Sequence, residues 1–195
     1  MRVFVIAFAG AMLAWPASAQ TVASVDTELV KGRCRIIADD GEVGDYTLKR
    51  CPGLGGARVY VELVGQHSIS LSFRWGNAKA TDVVKHYSIG TRLEWRGIKD
   101  KRGFSPYAAI IRVMIWDNDA EKTHDVLAVL RMEKRNACLM AAIDEEINAD
   151  AMTLARAAAD TDAPSFPCGT GKPKLVGTSS RWAKEAIGAV GEPPK

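Results

Sequence analysis

The sequence predicts an α+β domain: a twisted antiparallel β-sheet of about six strands, one C-terminal helix packed on a face, and two disulfides. Three observations carry this reading. Apolar and polar residues alternate with period two over residues 59–64 and 69–75, and further apolar runs follow at 91–96, 107–116, 124–132 and 136–143. Helical periodicity is strong only over residues 144–160. The chain holds 4 cysteines, an even number.

The elements follow in order. Residues 1–19 have the form of a secretory signal peptide. Arg2 is their one charge, an apolar run covers residues 3–14, and Ala17-Ser18-Ala19 is a small-x-small cleavage site. That run is shorter than the roughly 20 residues a bilayer span needs. Residues 20–33 read as an exposed lead-in. Residues 34–168 read as the single domain, beginning with a loop-rich stretch marked by Gly41, Gly44, Pro52, Gly53, Gly55 and Gly56.

Val59, Val61 and Leu63 then alternate with Tyr60 and Glu62, and Gly65-Gln66 makes a turn. Ile69, Leu71, Phe73 and Trp75 alternate with Ser68, Ser70, Ser72 and Arg74. This is an antiparallel hairpin with one polar face. The later strands are joined by short turns, as in a meander. In the helix, Ile147, Ala151, Leu154 and Ala158 share a face, and Asp144, Glu145 and Glu146 occupy the first turn. Pro164 and Pro167 end it. Residues 169–195, rich in Gly, Pro, Ser and Lys, read as a flexible tail with a short helix near residues 180–187. Phe73, Trp75, Ile111, Val113, Val126, Ala128, Leu139 and Leu154 are the expected core.

Composition excludes several classes. With 47% hydrophobic and 25% charged residues the 195-residue chain is globular rather than disordered. A net charge of +3 is no nucleic-acid-binding balance. Downstream of the leader no apolar stretch is long enough to span a membrane. Cys34, Cys51, Cys138 and Cys168 all follow the leader, which points to an oxidising compartment, periplasmic or extracellular. Of three connectivities, Cys34–Cys51 with Cys138–Cys168 keeps each bridge local to one end of the chain. No spacing is the C-x-x-C of a zinc or redox site.

Scattered residues over 34–168 carry a resemblance. They include Cys51-Pro52-Gly53, Leu93-Glu94-Trp95-Arg96, Phe104, residues 106–112 (PYAAIIR), Cys138, Asp144, Asn148, Ala159-Asp160, Phe166 and Cys168. Together they resemble a group of small exported hypothetical proteins from alphaproteobacteria. The resemblance implies a periplasmic or secreted location and structural cysteines, and it carries over no catalytic residue.

Motifs for chemistry are sparse. His67, His86 and His124 form no paired metal-ligand spacing. No G-x-S-x-G occurs. Gly169-Thr170-Gly171-Lys172 is not a phosphate loop, because Phe166 stands where a glycine is needed and Pro173 where Ser or Thr is needed. Asp117-Asn118-Asp119 with Glu121 is a turn without the calcium-loop spacing. Asp144, Glu145, Glu146, Asp150 and Asp160 form a solvated helix face.

One segment is unevenly charged. Over residues 91–112, Arg92, Arg96, Lys99, Lys101, Arg102 and Arg112 face only Glu94 and Asp100, with Trp95, Phe104 and Tyr107 interleaved. Two readings stand. Trp95, Arg96, Lys99, Lys101, Arg102 and Phe104 form a binding surface for an acidic partner. Alternatively the aromatics face the core and the cations face water. The expected function is therefore an exported, non-enzymatic binding or envelope-associated accessory protein without a cofactor, metal or nucleic acid. Its expected partner is an acidic envelope polymer or an extracellular protein. The alternatives are a protein inhibitor of an extracellular lysozyme or protease, and a hydrolase with dispersed carboxylates.

Overall fold

A computed structural model describes residues 21–30, 32–40, 45–65, 67–78 and 81–188, the side chains of residues 81 and 82 excepted. The leader, Gly41, Gly44, Gln66 and the end of the tail lie outside the described residues.

The period-two segments form strands, but in two sheets rather than one. Five strands make the smaller sheet: β2 (Arg35–Asp39), β3 (Tyr46–Cys51), β4 (Ala57–Val64), β5 (Ser68–Trp75) and β6 (Thr81–His86), in the order β2-β3-β4-β5-β6. Six make the larger: β1 (Thr21–Glu28), β7 (Ser88–Asp100), β8 (Gly103–Asp117), β9 (Lys122–Glu133), β10 (Asn136–Asp144) and β11 (Lys174–Leu175), in the order β1-β7-β8-β9-β10-β11. All pairings are antiparallel except β10 with β11. Helix α1 (Ala151–Asp162) and a short helix α2 (Arg181–Gly188) complete an α+β domain.

The near-continuous apolar runs of β8, β9 and β10 follow from burial on both faces. Ile111, Val113, Val126 and Ala128 join Val59, Leu71 and Phe73 in a core between the sheets. Ile110, Leu127, Val129 and Ile143 pack on the opposite side against Ala151, Ala155 and Ala159 of α1. A helix that meets a sheet through alanines lies close to it, so both sides keep dense contact. Of the expected core, Phe73, Ile111, Val113, Val126, Ala128 and Leu139 are buried. Trp75 and Leu154 are only half-buried, Trp75 at the end of β5 and Leu154 at the margin of α1.

Four boundaries differ from expectation. The stretch expected to be loop-rich from residue 34 holds β2 and β3, paired antiparallel to each other. The lead-in is an edge strand, because β1 pairs with β7 from Thr21↔Lys99 to Glu28↔Arg92. Its alternation is weak, and polar side-chain bonds hold it: Trp95 Nε1 donates to Thr27 Oγ1 at 2.9 Å, and Arg96 Nη1 donates to Ser24 Oγ at 2.7 Å.

The helix starts seven residues later than its periodicity suggests, at Ala151 instead of residue 144. The Asp144 carboxylate accepts the N–H groups of Glu146 (2.9 Å) and Ile147 (3.2 Å), and Asn148 Nδ2 donates to the Asp144 carbonyl at 2.8 Å. Such bonds compete with helix formation, and Ile147 is exposed.

The tail is ordered through residue 188. Asn148 exchanges two 2.8 Å bonds with the Thr178 backbone. Ser180 caps α2 through the N–H groups of Trp182 and Ala183 while donating to Asp144. Trp182 stacks on buried His124, with ring centroids 4.1 Å apart. Pro- and Gly-rich composition concealed this docking.

Cys34–Cys51 and Cys138–Cys168 are the two disulfides, and no described cysteine is free. That is the pattern of a non-cytoplasmic, oxidising compartment. No helix among the described residues is long and apolar enough to cross a membrane.

His86, buried at the end of β6, hydrogen-bonds the backbone of Ala186 in α2. Burial pushes its pKa from 6.5 down to about 4, against the opposing pull of that bond. The unfolded chain takes up this proton near pH 6.5, whereas the folded chain resists it to about pH 4. Stability from neutral His86 is therefore complete above pH 6.5 and is lost progressively towards pH 4, on the order of 3 kcal/mol in all. Urea titrations over this window are expected to show a smaller pH dependence for His86→Leu than for the wild type.

Candidate anion-binding site

The basic hairpin of residues 91–112 does not form the expected surface. Trp95 is fully buried between the sheets. Arg96, on the opposite face of β7, makes a bidentate pair with Asp160 of α1, and Tyr107 donates to the same carboxylate at 2.6 Å. The hydrogen bond to Asp160 raises the Arg96 pKa. Burial alone would raise Asp160, but its bonds from Arg96 and Tyr107 outweigh burial and hold it low. Burial and the same carboxylate push Tyr107 up to about 12.

The other hairpin cations are also largely paired. Arg112 Nε meets Glu145 at 2.6 Å, Arg102 meets Asp100 at 3.0 Å, and Arg92 approaches Asp26 at 3.7 Å. Lys99 and Lys101 have no carboxylate partner among the described residues and project singly from the β7–β8 turn. Phe104 is half-buried against the inter-sheet core. Trp95, Arg96, Lys99, Lys101, Arg102 and Phe104 are therefore dispersed over a core, a helix contact and a hairpin tip.

Four of the five carboxylates expected on the helix face are likewise committed to structure. Glu145 and Asp160 hold arginines, Glu146 accepts from His124 Nδ1 at 2.7 Å, and Asp144 binds backbone and Ser180. His124 lies between Glu146 and Asp117, covered by Trp182.

A different cluster of cations stands unneutralised. The outer face of the smaller sheet carries Arg35, Arg50, Arg58 and Arg74, none with a carboxylate partner among the described residues. Strand register places Arg35 directly opposite Arg50 and Arg58 directly opposite Arg74. Like charges directly opposite across strands are destabilising, so this face holds two such pairs at a cost to folding. Between them lies Tyr60, buried although on the outer face, with the Arg74 guanidinium 4.8 Å over its ring. The buried Arg74 Nε has no hydrogen-bond partner among the described residues.

The Cys34–Cys51 bridge assembles the site. Cys34 stands between Arg33 and Arg35, and Cys51 follows Arg50, so one covalent link draws three arginines together against their repulsion. Arg33, Arg35, Arg50 and Arg58 line an open depression of about 570 Å³ with Pro52 and Gly53. Arg33 alone among them has an acidic neighbour, an exposed Glu28 at 3.6 Å. Guanidinium groups among the residues that line one concavity suit bidentate binding of carboxylate, sulfate or phosphate oxygens.

The sequence carried this signal in two places: Arg-Cys-Arg at 33–35 with Lys-Arg-Cys at 49–51, and the turn at 65–66, which sets Arg58 across from Arg74. The chain matches no family model, no curated protein and no solved structure significantly.

Proposed function

We propose that the protein is an exported, non-enzymatic binding protein that holds an anionic polymer of the cell envelope in the arginine depression beside Cys34–Cys51. The observation that carries this reading is the pair of opposed arginine couples, Arg35↔Arg50 and Arg58↔Arg74, kept without neutralising carboxylates among the described residues. A fold that accepts such local conflict at one place does so where a site needs it. The leader-like residues 1–19 and the two disulfides support action in the periplasm or outside the cell.

Dextran sulfate titrated at rising salt tests the reading. The wild-type protein is expected to bind it, with affinity falling steeply as salt screens the arginines. Lys99→Glu/Lys101→Glu/Arg102→Glu is expected to bind within about twofold of wild type, since an exposed charge outside the contact contributes little. Absence of salt-sensitive binding, or its loss in this triple variant, contradicts the assignment.

A further inference from the structure

We infer that the arginine depression is one end of a longer groove whose ligand is an acidic polysaccharide in which neutral sugars separate the charged ones. This rests on the anion-binding reading above and specifies the ligand. The depression borders a second concavity, of about 380 Å³, with which it shares Arg33, Pro52 and Gly53. Leu54 then belongs both to this middle section and to a third of about 360 Å³. All three border the loop of residues 51–56.

The lining changes along the path. The first section presents arginines. The middle presents Asp26 and Glu28 at the end of β1, each in only a loose contact, to Arg92 at 3.7 Å and Arg33 at 3.6 Å. The third presents Trp75 and Phe104 over Pro106 and Met132, together with Glu133 and Lys134.

A ligand charged at every unit, such as polyphosphate, meets repulsion at Asp26 and Glu28. A hydroxylated neutral sugar instead donates hydrogen bonds to those carboxylates, while the apolar face of a further ring packs on an aromatic side chain. An acidic peptide fits less well. Only the last three residues of the edge strand β1 line the middle section, which leaves a peptide strand a short run of edge to pair with there.

The wall is rigid before any ligand arrives. Cys51 anchors one end of the loop by its disulfide. Gly55, at φ +62°, lies so close to Pro106 that a Cβ there would stand 2.7 Å from the proline Cγ. Such preorganisation lowers the entropic cost of binding.

Calorimetry with three probes tests this: hyaluronan oligosaccharides, in which a neutral sugar follows each uronate, polygalacturonate oligosaccharides of equal length, and polyphosphate. For wild type, hyaluronan affinity is expected to rise with chain length to a plateau and to exceed that of polygalacturonate by about tenfold, the equivalent of 1.4 kcal/mol. Asp26→Ala/Glu28→Ala changes exposed or half-exposed side chains and is expected to weaken hyaluronan binding while strengthening polyphosphate binding. Trp75→Ala is expected to weaken hyaluronan binding, with Trp75→Phe restoring most of it, folding being checked by circular dichroism. Equal, salt-sensitive binding of all three probes, indifferent to these variants, overturns the groove and leaves the anion site standing. No salt-sensitive binding of any probe overturns the anion reading itself. Poly-glutamate binding more tightly than hyaluronan overturns the ligand class in favour of a protein partner.

Discussion

Trp95→Ala lowers the melting temperature by roughly 10 °C. The side chain is fully buried, its ring meets Phe73 edge-on at 5.7 Å, and its Nε1 donates to Thr27. Truncation removes a large packed ring and leaves a cavity, at a cost of about 4 kcal/mol. It also strands the buried Thr27 hydroxyl and so loosens β1, whose hold on the sheet depends on few side chains. For a domain of this size each kcal/mol shifts the midpoint by roughly 2–4 °C. Thermal unfolding followed by circular dichroism measures it. A melting temperature within a degree of wild type contradicts the placement of Trp95 between the sheets, and with it the reassignment of residues 91–112 from binding surface to scaffold.

Much of the scaffold was legible because it rests on local pattern. The β4–β5 hairpin follows from strict alternation on both sides of a Gly-containing turn. The β8–β10 meander follows from apolar runs between charged turns. Both disulfides follow from the simplest pairing of four cysteines. What escaped depends on distant partners. Strand β1 has little alternation, and its bonds reach residues 68 to 72 positions away. Helix α2 was legible as a short helix near residues 180–187, but its docking was not, because Asn148 and Asp144 hold it from 30 and 36 positions away.

The site misled for the same reason. Counting charges along residues 91–112 counts Arg96 and Arg112 as free, yet Asp160 and Glu145 reach them from 64 and 33 positions away. Conversely, Arg33, Arg35, Arg50, Arg58 and Arg74 are spread over 42 positions of sequence, in which Asp39, Asp40, Glu42, Asp45 and Glu62 nearly balance the cations. Strand register and one disulfide concentrate them. Charge arithmetic within a window sees neither.

Arg50→Glu/Arg58→Glu tests the central claim most directly, because it separates binding from folding in opposite directions. Each reversal turns a like-charge couple, Arg35↔Arg50 or Arg58↔Arg74, into an opposite-charge pair across the same strands. Such pairs are worth about 0.2–1 kcal/mol, so the melting temperature is expected to hold or rise slightly. Charge-assisted bonds to an anion contribute about 1.5–3 kcal/mol each. Losing two and gaining repulsion is therefore expected to lower dextran sulfate affinity by at least about a hundredfold at low salt and to flatten its salt dependence. Unchanged affinity in a folded variant contradicts the account, whereas a folded protein of equal or greater stability that no longer holds the polymer is the result it predicts.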